Sequence, residues 1–428
     1  MKKILSIFVG LSLSTLAFAA DYNEKSINEI AEQYVKLVLA LGQHDKNYVD
    51  AYYGPNEWQA EAKEKKLPLK NIVIAAKSLQ DLLAPIKSER EIESLRIDYL
   101  KTQLGSLSSR ALMLIGNVKY NFDQESKALY DTQPPKFEFS EFDQALQALN
   151  KMIPGEDELS VRVEKYKAQF VIPSEKLQVV FDAAIKACRE RTKAYVDLLP
   201  NENFTMEFVT DKPWSGYNWY KGNAFSLIQV NTELPIDISR AVDLGCHEGY
   251  PGHHTYNGLL EANLVKKRGW LEFSVYPLFS PQSLIAEGSA NYGIEMAFPG
   301  DEKLKFEKES LFPLAGLSPE LASQYAKFSE LMSKLNYAGN EVARLYMNKA
   351  INVEEAQAML QKYSLMSDKK AKQRVRFIDT YGAYVINYNW GKDLVKNWVE
   401  SGEDKTMLGR WKRFTQLLSS PRLPSTLN

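Results

Sequence analysis

The sequence predicts a mostly α-helical protein, a large multi-helix body that carries one small β-ribbon. Between Ser26 and Leu41 the apolar residues recur at intervals of three and four, which is the period of an amphipathic helix. Strand-like alternation is confined to the stretch between Asn203 and Asn231. The helical period returns in segments at about 70–84, 90–118, 140–152, 175–198, 236–249, 282–298, 318–349, 354–364, 370–398 and 405–418.

The N-terminus has the three parts of a secretory signal peptide. MKK is a basic start, ILSIFVGLSLSTLAF is an apolar run, and Ala-Phe-Ala at positions 17–19 is a small-residue cleavage site. A short buried helix or an uncleaved anchor is the alternative, but the run is shorter than the roughly 20 residues of a membrane span. We therefore expect residues 1–19 to be removed and the mature protein to be periplasmic or secreted, without stable membrane insertion.

Charge and cysteine content exclude several classes of protein. The 53 basic and 54 acidic residues give a formal net charge of −1, so we expect no nucleic-acid partner. Cys188 and Cys246 are too few for a disulfide framework. They could pair in an oxidising compartment, but Cys246 lies in an apolar segment next to His247, so we expect a buried thiol.

The chain has no low-complexity linker and no internal repeat that would divide it. We therefore expect one continuous body. Residues 20–200 form its N-terminal helical part, and residues 201–428 form a second helical part that contains the β-ribbon.

Two short strands are predicted directly before the histidine-rich segment. FTMEFVT alternates apolar and polar residues, and AFSLIQVN is a second apolar strand. DKPWSGYNWYKGN, between them, is rich in turn formers and aromatic residues. Such a ribbon either packs against the helices or offers backbone groups to an extended ligand. Asn231, at its end, is a candidate substrate-binding residue.

Three of the four histidines lie in the eight residues HEGYPGHH, from His247 to His254. His247 and Glu248 begin like the zinc motif HExxH, but position 251 is proline and the next histidine is His253. On a straight helix His253 would lie about 240° around the axis and about 9 Å further along it. Pro251 and Gly252 favour a break that brings His253 back to His247. The alternative is that these histidines line a helix end and bind nothing.

A third ligand is predicted on a later helix. In SLIAEGSANYGIEMAF the residues Glu287, Asn291 and Glu295 are four apart on one stripe. The small residues after Glu287 allow this helix to pack closely against another. Taken alone, Glu287 is better explained as a solvated or paired acid, yet catalytic zinc needs three protein ligands and an open position.

HEGYPGHH together with AEGSANY resembles the bacterial family known as domain of unknown function 885, with its motifs HExxPGHxxQ and EGWAxY. The resemblance extends to EVARLYMN, RFIDTYGAYVINYNWG and RFTQLLSSPRLPSTL near the C-terminus. It implies a distant similarity to gluzincin-type zinc peptidases, helical oligopeptidases with a deep cleft. It also implies His247, His253 and Glu287 as zinc ligands and Glu248 as general base. The sequence departs from the motifs at Tyr256, where the family has Gln, and at Ser289, where it has Trp.

Further candidates come from the C-terminal helices and from the end of the histidine segment. Tyr388, and after it Tyr381, could stabilise an oxyanion, although tyrosines at this spacing also suit core packing. Arg344 and Arg376 could bind a substrate carboxylate, or form structural ion pairs. His254 could orient Glu248 or contact substrate.

The sequence therefore predicts an exported zinc-dependent peptidase acting on small peptides. Manganese or cobalt would accept the same ligands. Two alternatives stay open: a metal-dependent hydrolase of a non-peptide amide or ester, and a non-catalytic metal- or peptide-binding protein.

Overall fold

The computed structural model describes residues 15–212 and 214–427, with side chains from residue 24 onward. Most of the predicted signal peptide, residues 1–19, lies outside these ranges. Within them the prediction of a mostly α-helical fold is confirmed. The α-helices are α1 Thr15–Leu41, α2 Asn56–Lys65, α3 Leu69–Leu83, α4 Glu91–Ile115, α5 Phe122–Tyr130, α6 Asp143–Met152, α7 Leu159–Lys167, α8 Leu177–Lys193, α9 Ser239–Leu244, α10 His253–Leu260, α11 Pro281–Ala297, α12 Glu302–Phe306, α13 Phe312–Ala315, α14 Ala322–Ser333, α15 Ala338–Met347, α16 Val353–Tyr363, α17 Asp368–Tyr381, α18 Ile386–Glu400 and α19 Met407–Leu418.

Two long helical predictions are interrupted. The segment predicted at 318–349 contains α14 and α15, and the one at 370–398 contains α17 and α18. Gly382 ends α17 with a positive φ of 57°, a conformation that favours glycine. A Cβ at this position would also lie 2.1 Å from Glu125 Oε1. The amide of Ala383 donates to the same carboxylate at 2.9 Å, so Glu125 fixes the break.

The β-structure is richer than the predicted ribbon. A three-stranded sheet contains β2 Asn203–Val209, β3 Gly216–Tyr220 and β4 Phe225–Asn231 in the order β2-β4-β3. β2 pairs with β4 in parallel, and β3 pairs with β4 antiparallel. The segment that we read as a turn therefore contains β3. Gly216 and Asn218 weaken its sequence signal, whereas pairing with β4 supplies the backbone hydrogen bonds that hold the strand.

A second, two-stranded sheet joins distant parts of the chain. β1 Val49–Tyr52 pairs antiparallel with β5 Val275–Pro277, with an irregular register between Val49 and Ala51. Strands of four and three residues are too short to show a period in the sequence. Neither was predicted.

Two large hydrophobic cores hold the helices together. One contains Tyr34, Leu100 and Trp411, and the other contains Phe181 and Tyr325. Residues from before and after position 200 contribute to both cores. Among the described residues, no helix is long and apolar enough to cross a membrane.

α11 and α18 pack closely against each other. A Cβ on Gly288 would lie 2.3 Å from the carbonyl oxygen of Gly391, so only glycine allows the two backbones to approach this closely. Replacing Gly288 by alanine is expected to lower the free energy of unfolding by about 1–3 kcal/mol, because the clash is with backbone. Gly339, within α15, is the matched control, because a Cβ added there would lie 3.9 Å from its nearest neighbour, Ser364 Oγ. Urea denaturation measures both, and equal stability of Gly288→Ala and wild type would contradict the contact.

Cys188 and Cys246 form a disulfide, so the expectation of a buried thiol is wrong. α8 packs against the turn at Gly245, where a Cβ would lie 3.3 Å from the Ile185 side chain. That packing brings the two Cα atoms to 5.4 Å. The bond ties α8 to the residue that precedes His247, and a separation of 58 residues gives no sign of it in the sequence.

Candidate metal centre

The helix that carries His247 breaks where the sequence predicts. α9 continues into a single π-helical turn, Gly245–Gly249, and a cis peptide bond joins Tyr250 to Pro251. α10 then begins at His253. A straight helix through Pro251 would have separated the two histidines, so this break is what allows them to meet.

Gly252 permits the chain to fold back over the preceding turn. A Cβ at this position would lie 1.7 Å from the carbonyl oxygen of His247. The amide of Gly252 donates to the carbonyl of Cys246 at 3.0 Å, and its own carbonyl accepts from Tyr256 in the first turn of α10. The imidazoles of His247 and His253 consequently face each other, with ring centroids 4.7 Å apart.

α11 brings Glu287 to the two histidines. Its Oε2 lies 3.2 Å from His247 Nε2 and 3.8 Å from His253 Nε2. The ligand atoms of the three residues all lie within 4.8 Å of one another, so one ion could contact all three. Burial lowers the pKa of His253 to about 4, which leaves its imidazole neutral at physiological pH. Burial alone would raise the pKa of Glu287, but His247, His253 and Tyr384 hold it below its usual value.

One buried oxygen in this cluster lacks a partner. Glu287 Oε2 lies 3.2 Å from His247 Nε2 but has no hydrogen bond to any described residue. A buried acceptor without a partner costs about 1–3 kcal/mol. A cation between Glu287, His247 and His253 would satisfy it, and two imidazoles with one carboxylate are a typical zinc-binding set.

Two residues orient these ligands. Asn291 Oδ1 lies 3.2 Å from His247 Nδ1, which assigns the proton to Nδ1 and leaves Nε2 free to bind a metal. The hydroxyl of Tyr384 donates to Glu287 Oε1 at 2.7 Å, so Oε2 is the oxygen left facing the histidines. Partners of this kind fix metal ligands in many sites. The interval of four from Glu287 to Asn291 was visible in the sequence, whereas the role of Tyr384 was not.

Glu248 follows His247 in the chain and is within electrostatic reach of His247 and Glu287. It is buried, and Asn218 on β3 donates to its backbone carbonyl at 2.7 Å. A Cβ on Gly216 would lie 2.9 Å from Glu248 Oε1, so the start of β3 is in contact with this carboxylate. Burial raises the pKa of Glu248 to about 7, with His247 opposing and Glu287 adding to the effect.

The two predicted phenols, Tyr388 and Tyr381, differ in their neighbours. Its partly exposed phenol is within electrostatic reach of Glu287 and Glu248, and burial raises its pKa. No described residue makes a hydrogen bond with its hydroxyl. The ring of Tyr381 instead contacts Phe377 at 4.6 Å between centroids. Tyr388 is therefore the better-placed of the two predicted phenols.

Two of the predicted substrate-binding residues have structural partners. His254 is buried, with Nδ1 2.8 Å from Ser226 Oγ and Nε2 3.1 Å from Glu202 Oε2. Both ring nitrogens are occupied, which disagrees with a role in binding substrate or orienting Glu248. Asn231 donates to the carbonyls of Lys212 and Trp214 and so closes the loop before β3.

The two predicted arginines also lie elsewhere. Arg344 is buried in a network with Asp123, Glu341 and the carbonyl of Pro135. The side chain of Arg376 is exposed on α17. Neither position fits the carboxylate-binding role that the sequence suggested. Arg344 serves as a structural ion pair, which was the alternative reading.

Removing the hydroxyl of Tyr384 is expected to weaken metal binding. Tyr384→Phe leaves Glu287 free to rotate and should lower zinc affinity by about 10- to 100-fold, as is typical when a ligand loses its orienting partner. Competition with a chromophoric chelator measures this affinity. Tyr346→Phe is the matched control, because it also removes a phenol that donates to a carboxylate, Asp379, at 2.8 Å, but on an exposed surface. Equal affinities of Tyr384→Phe and wild type would show that Glu287 needs no such support.

No protein-family model matches the chain, and no curated protein matches its sequence. Among solved structures, a protein of Colwellia psychrerythraea described as a candidate lipoprotein has a similar fold, with a TM-score of 0.53 and 14% identity. That match covers 86% of this chain and 70% of the other. An M32 carboxypeptidase of Deinococcus radiodurans R1 has a TM-score of 0.46 and 11% identity, over 94% of this chain and 90% of its own. The match to the Colwellia protein shows that the two proteins share a fold. The match to the carboxypeptidase is too distant to support a conclusion about this chain.

Proposed function

We propose that the protein is a metal-dependent hydrolase, an exported zinc peptidase that cleaves small peptides. The observation that carries the proposal is the meeting of His247, His253 and Glu287 within 4.8 Å, with one buried carboxylate oxygen left without a partner. Glu248 adjoins the first of these residues in the chain. The resemblance of HEGYPGHH and AEGSANY to the domain of unknown function 885 family supports the same assignment of roles.

The proposed reaction uses few groups of the chain. Zinc, when bound, would polarise the scissile carbonyl and lower the pKa of a water molecule to about 7. Glu248 accepts a proton from the attacking water as the new C–O bond forms. It then gives that proton to the leaving nitrogen as the C–N bond breaks, so the products are a carboxylic acid and an amine. The phenol of Tyr388 donates to the oxygen on which negative charge develops.

The surroundings of the centre suit a short, extended substrate. β3 pairs on one side with β4 and is an edge strand of its sheet. Its first residue contacts Glu248, so the free edge offers backbone groups next to the proposed base. The histidine side chains are only 13% and 10% exposed, which favours small peptides over folded proteins.

Location outside the cytoplasm belongs to the same proposal. The signal-like N-terminus predicts export. The disulfide between Cys188 and Cys246 suits an oxidising compartment such as the periplasm.

Hydrolysis of a peptide library tests the proposed function. The mature protein is incubated with the library as purified, after chelation and after readdition of zinc. Cleavage that chelation removes and zinc restores is the expected result. Cleavage of an ester or non-peptide amide panel alone would favour the other hydrolase, and bound metal without any hydrolysis would favour a binding protein.

A further inference from the structure

One further arginine lies near Tyr388 and the proposed active site. Arg374 is on α17, one turn before Phe377, and its guanidinium lies 5.2 Å from the centroid of that ring. Phe377 in turn contacts Tyr388, with ring centroids 6.4 Å apart. The charge of Arg374 acts on Tyr388, which is itself within electrostatic reach of Glu287 and Glu248. Phe377 therefore contacts both Arg374 and Tyr388, and Tyr388 connects this pair to the acids of the metal centre.

Arg374 pairs with no acid among the described residues, in contrast to Arg96 and Arg110. Arg96 pairs with Glu272, and Arg110 with Asp45. Across residues 24–212 and 214–427, Arg374 has no ion pair and no hydrogen bond, and its Nε is buried without a partner. Apart from its contact with the ring of Phe377, the guanidinium has no partner among the described residues, so its donors are free for an anionic group of a ligand. A charge kept in that state next to a reaction centre is expected to serve a ligand.

The side chain is nevertheless accessible. Arg374 is partly exposed, as are Tyr388 and His247. Most residues of α11 behind them are fully buried. Solvent therefore reaches all three side chains, and the contacts of Phe377 with Arg374 and with Tyr388 connect the guanidinium to the phenol.

We propose that Arg374 binds the free C-terminal carboxylate of the substrate, so that the enzyme acts on short peptides close to their C-terminus. A guanidinium presents a planar pair of N–H donors that matches the two oxygens of a carboxylate. The acidic surroundings, Glu287 and Glu248, would otherwise repel a carboxylate. This inference rests on the proposed function, of which it specifies the substrate.

The test compares one peptide in two forms. The peptide that the wild-type enzyme cleaves best is made as the free acid and as the C-terminal amide. The free acid is expected to have a kcat/KM about 10- to 100-fold higher, the usual effect of one hydrogen-bonded charge pair. Arg374→Gln should lose this preference by cleaving the acid more slowly and the amide as before. Arg374→Lys should keep part of it, because it retains the charge without the paired donors.

Arg376→Gln is the matched comparison, because it removes the same charge from the exposed face of the same helix. It should leave the preference for the free acid intact. Equal cleavage of acid and amide by the wild type would overturn the inference, and so would a loss with Arg374→Gln that is the same for both forms.

A binding measurement separates this inference from the proposed function. Calorimetry compares N-acetyl-phenylalanine with N-acetyl-phenylalanine amide on the zinc-loaded protein. Tighter binding of the acid, which Arg374→Gln abolishes, would support the carboxylate site even if no peptide were cleaved and the peptidase proposal had failed. Acid and amide binding equally well would overturn the carboxylate site even if peptides were cleaved.

Discussion

Replacing Glu248 by glutamine is expected to lower kcat/KM for peptide hydrolysis by about 10²- to 10⁴-fold, the usual contribution of a general base. Glutamine keeps the shape of the side chain but cannot accept a proton. Glu248 is not among the three residues whose ligand atoms meet, so bound zinc should stay near one ion per chain. Activity and metal content are measured on the same preparation.

The control for this variant lies on α11. Glu295→Gln also removes a carboxylate, but one that pairs with Lys392 and Lys396 away from the histidines. It should hydrolyse peptides at the wild-type rate. A Glu248→Gln protein that keeps both zinc and full activity would exclude Glu248 as the base, and one that loses zinc would make Glu248 a ligand.

Replacing His253 by alanine is expected to remove the metal and the hydrolysis together. The variant leaves two of the three ligand atoms. Loss of an orienting partner typically lowers zinc affinity by about 10- to 100-fold, and loss of a ligand should lower it further. Metal analysis after gel filtration gives the zinc content per chain. Activity should follow that content.

His44, which lies outside the histidine-rich segment, provides the matched control. His44 is exposed and its Nε2 lies 2.8 Å from the carbonyl oxygen of Leu67, far along the chain from the metal centre. His44→Ala should keep zinc and activity. A His253→Ala protein with unchanged zinc content would contradict the proposed ligand set, because the metal would then be held by other residues.

Much of the helical fold could be predicted from the sequence, because long amphipathic helices repeat their apolar residues over several turns. α4, with 25 residues, and α8, with 17, were predicted in this way. The shorter elements were not. β1 is four residues long and exists because it pairs with β5, more than two hundred residues further on. A local pattern cannot contain that information.

The centre of the candidate site was predictable for a different reason. His247, Glu248 and His253 are close in the chain, and the backbone preferences of Pro251 and Gly252 limit how the segment can fold. Glu287 was found from the small residues that follow it, which allow α11 to pack closely.

The outer part of the site depends on which face of a helix turns inward. Arg374 and Arg376 are two residues apart on α17, so they point in different directions. Arg376 was the predicted substrate-binding residue, but Arg374 is the one whose guanidinium contacts Phe377, next to Tyr388. Likewise Tyr384, and not a neighbouring phenol, donates to Glu287. These choices are made by the packing of α17 and α18 against the rest of the body, which the sequence does not display.

A crystal structure of the protein grown with zinc tests the central claim most directly. We predict one zinc ion bound by Nε2 of His247, Nε2 of His253 and a carboxylate oxygen of Glu287, at about 2.0–2.2 Å from each ligand atom. Anomalous scattering at the zinc edge would identify the ion. A structure in which zinc is absent from these three residues, or is bound elsewhere while the protein hydrolyses peptides, would contradict the proposed metal centre.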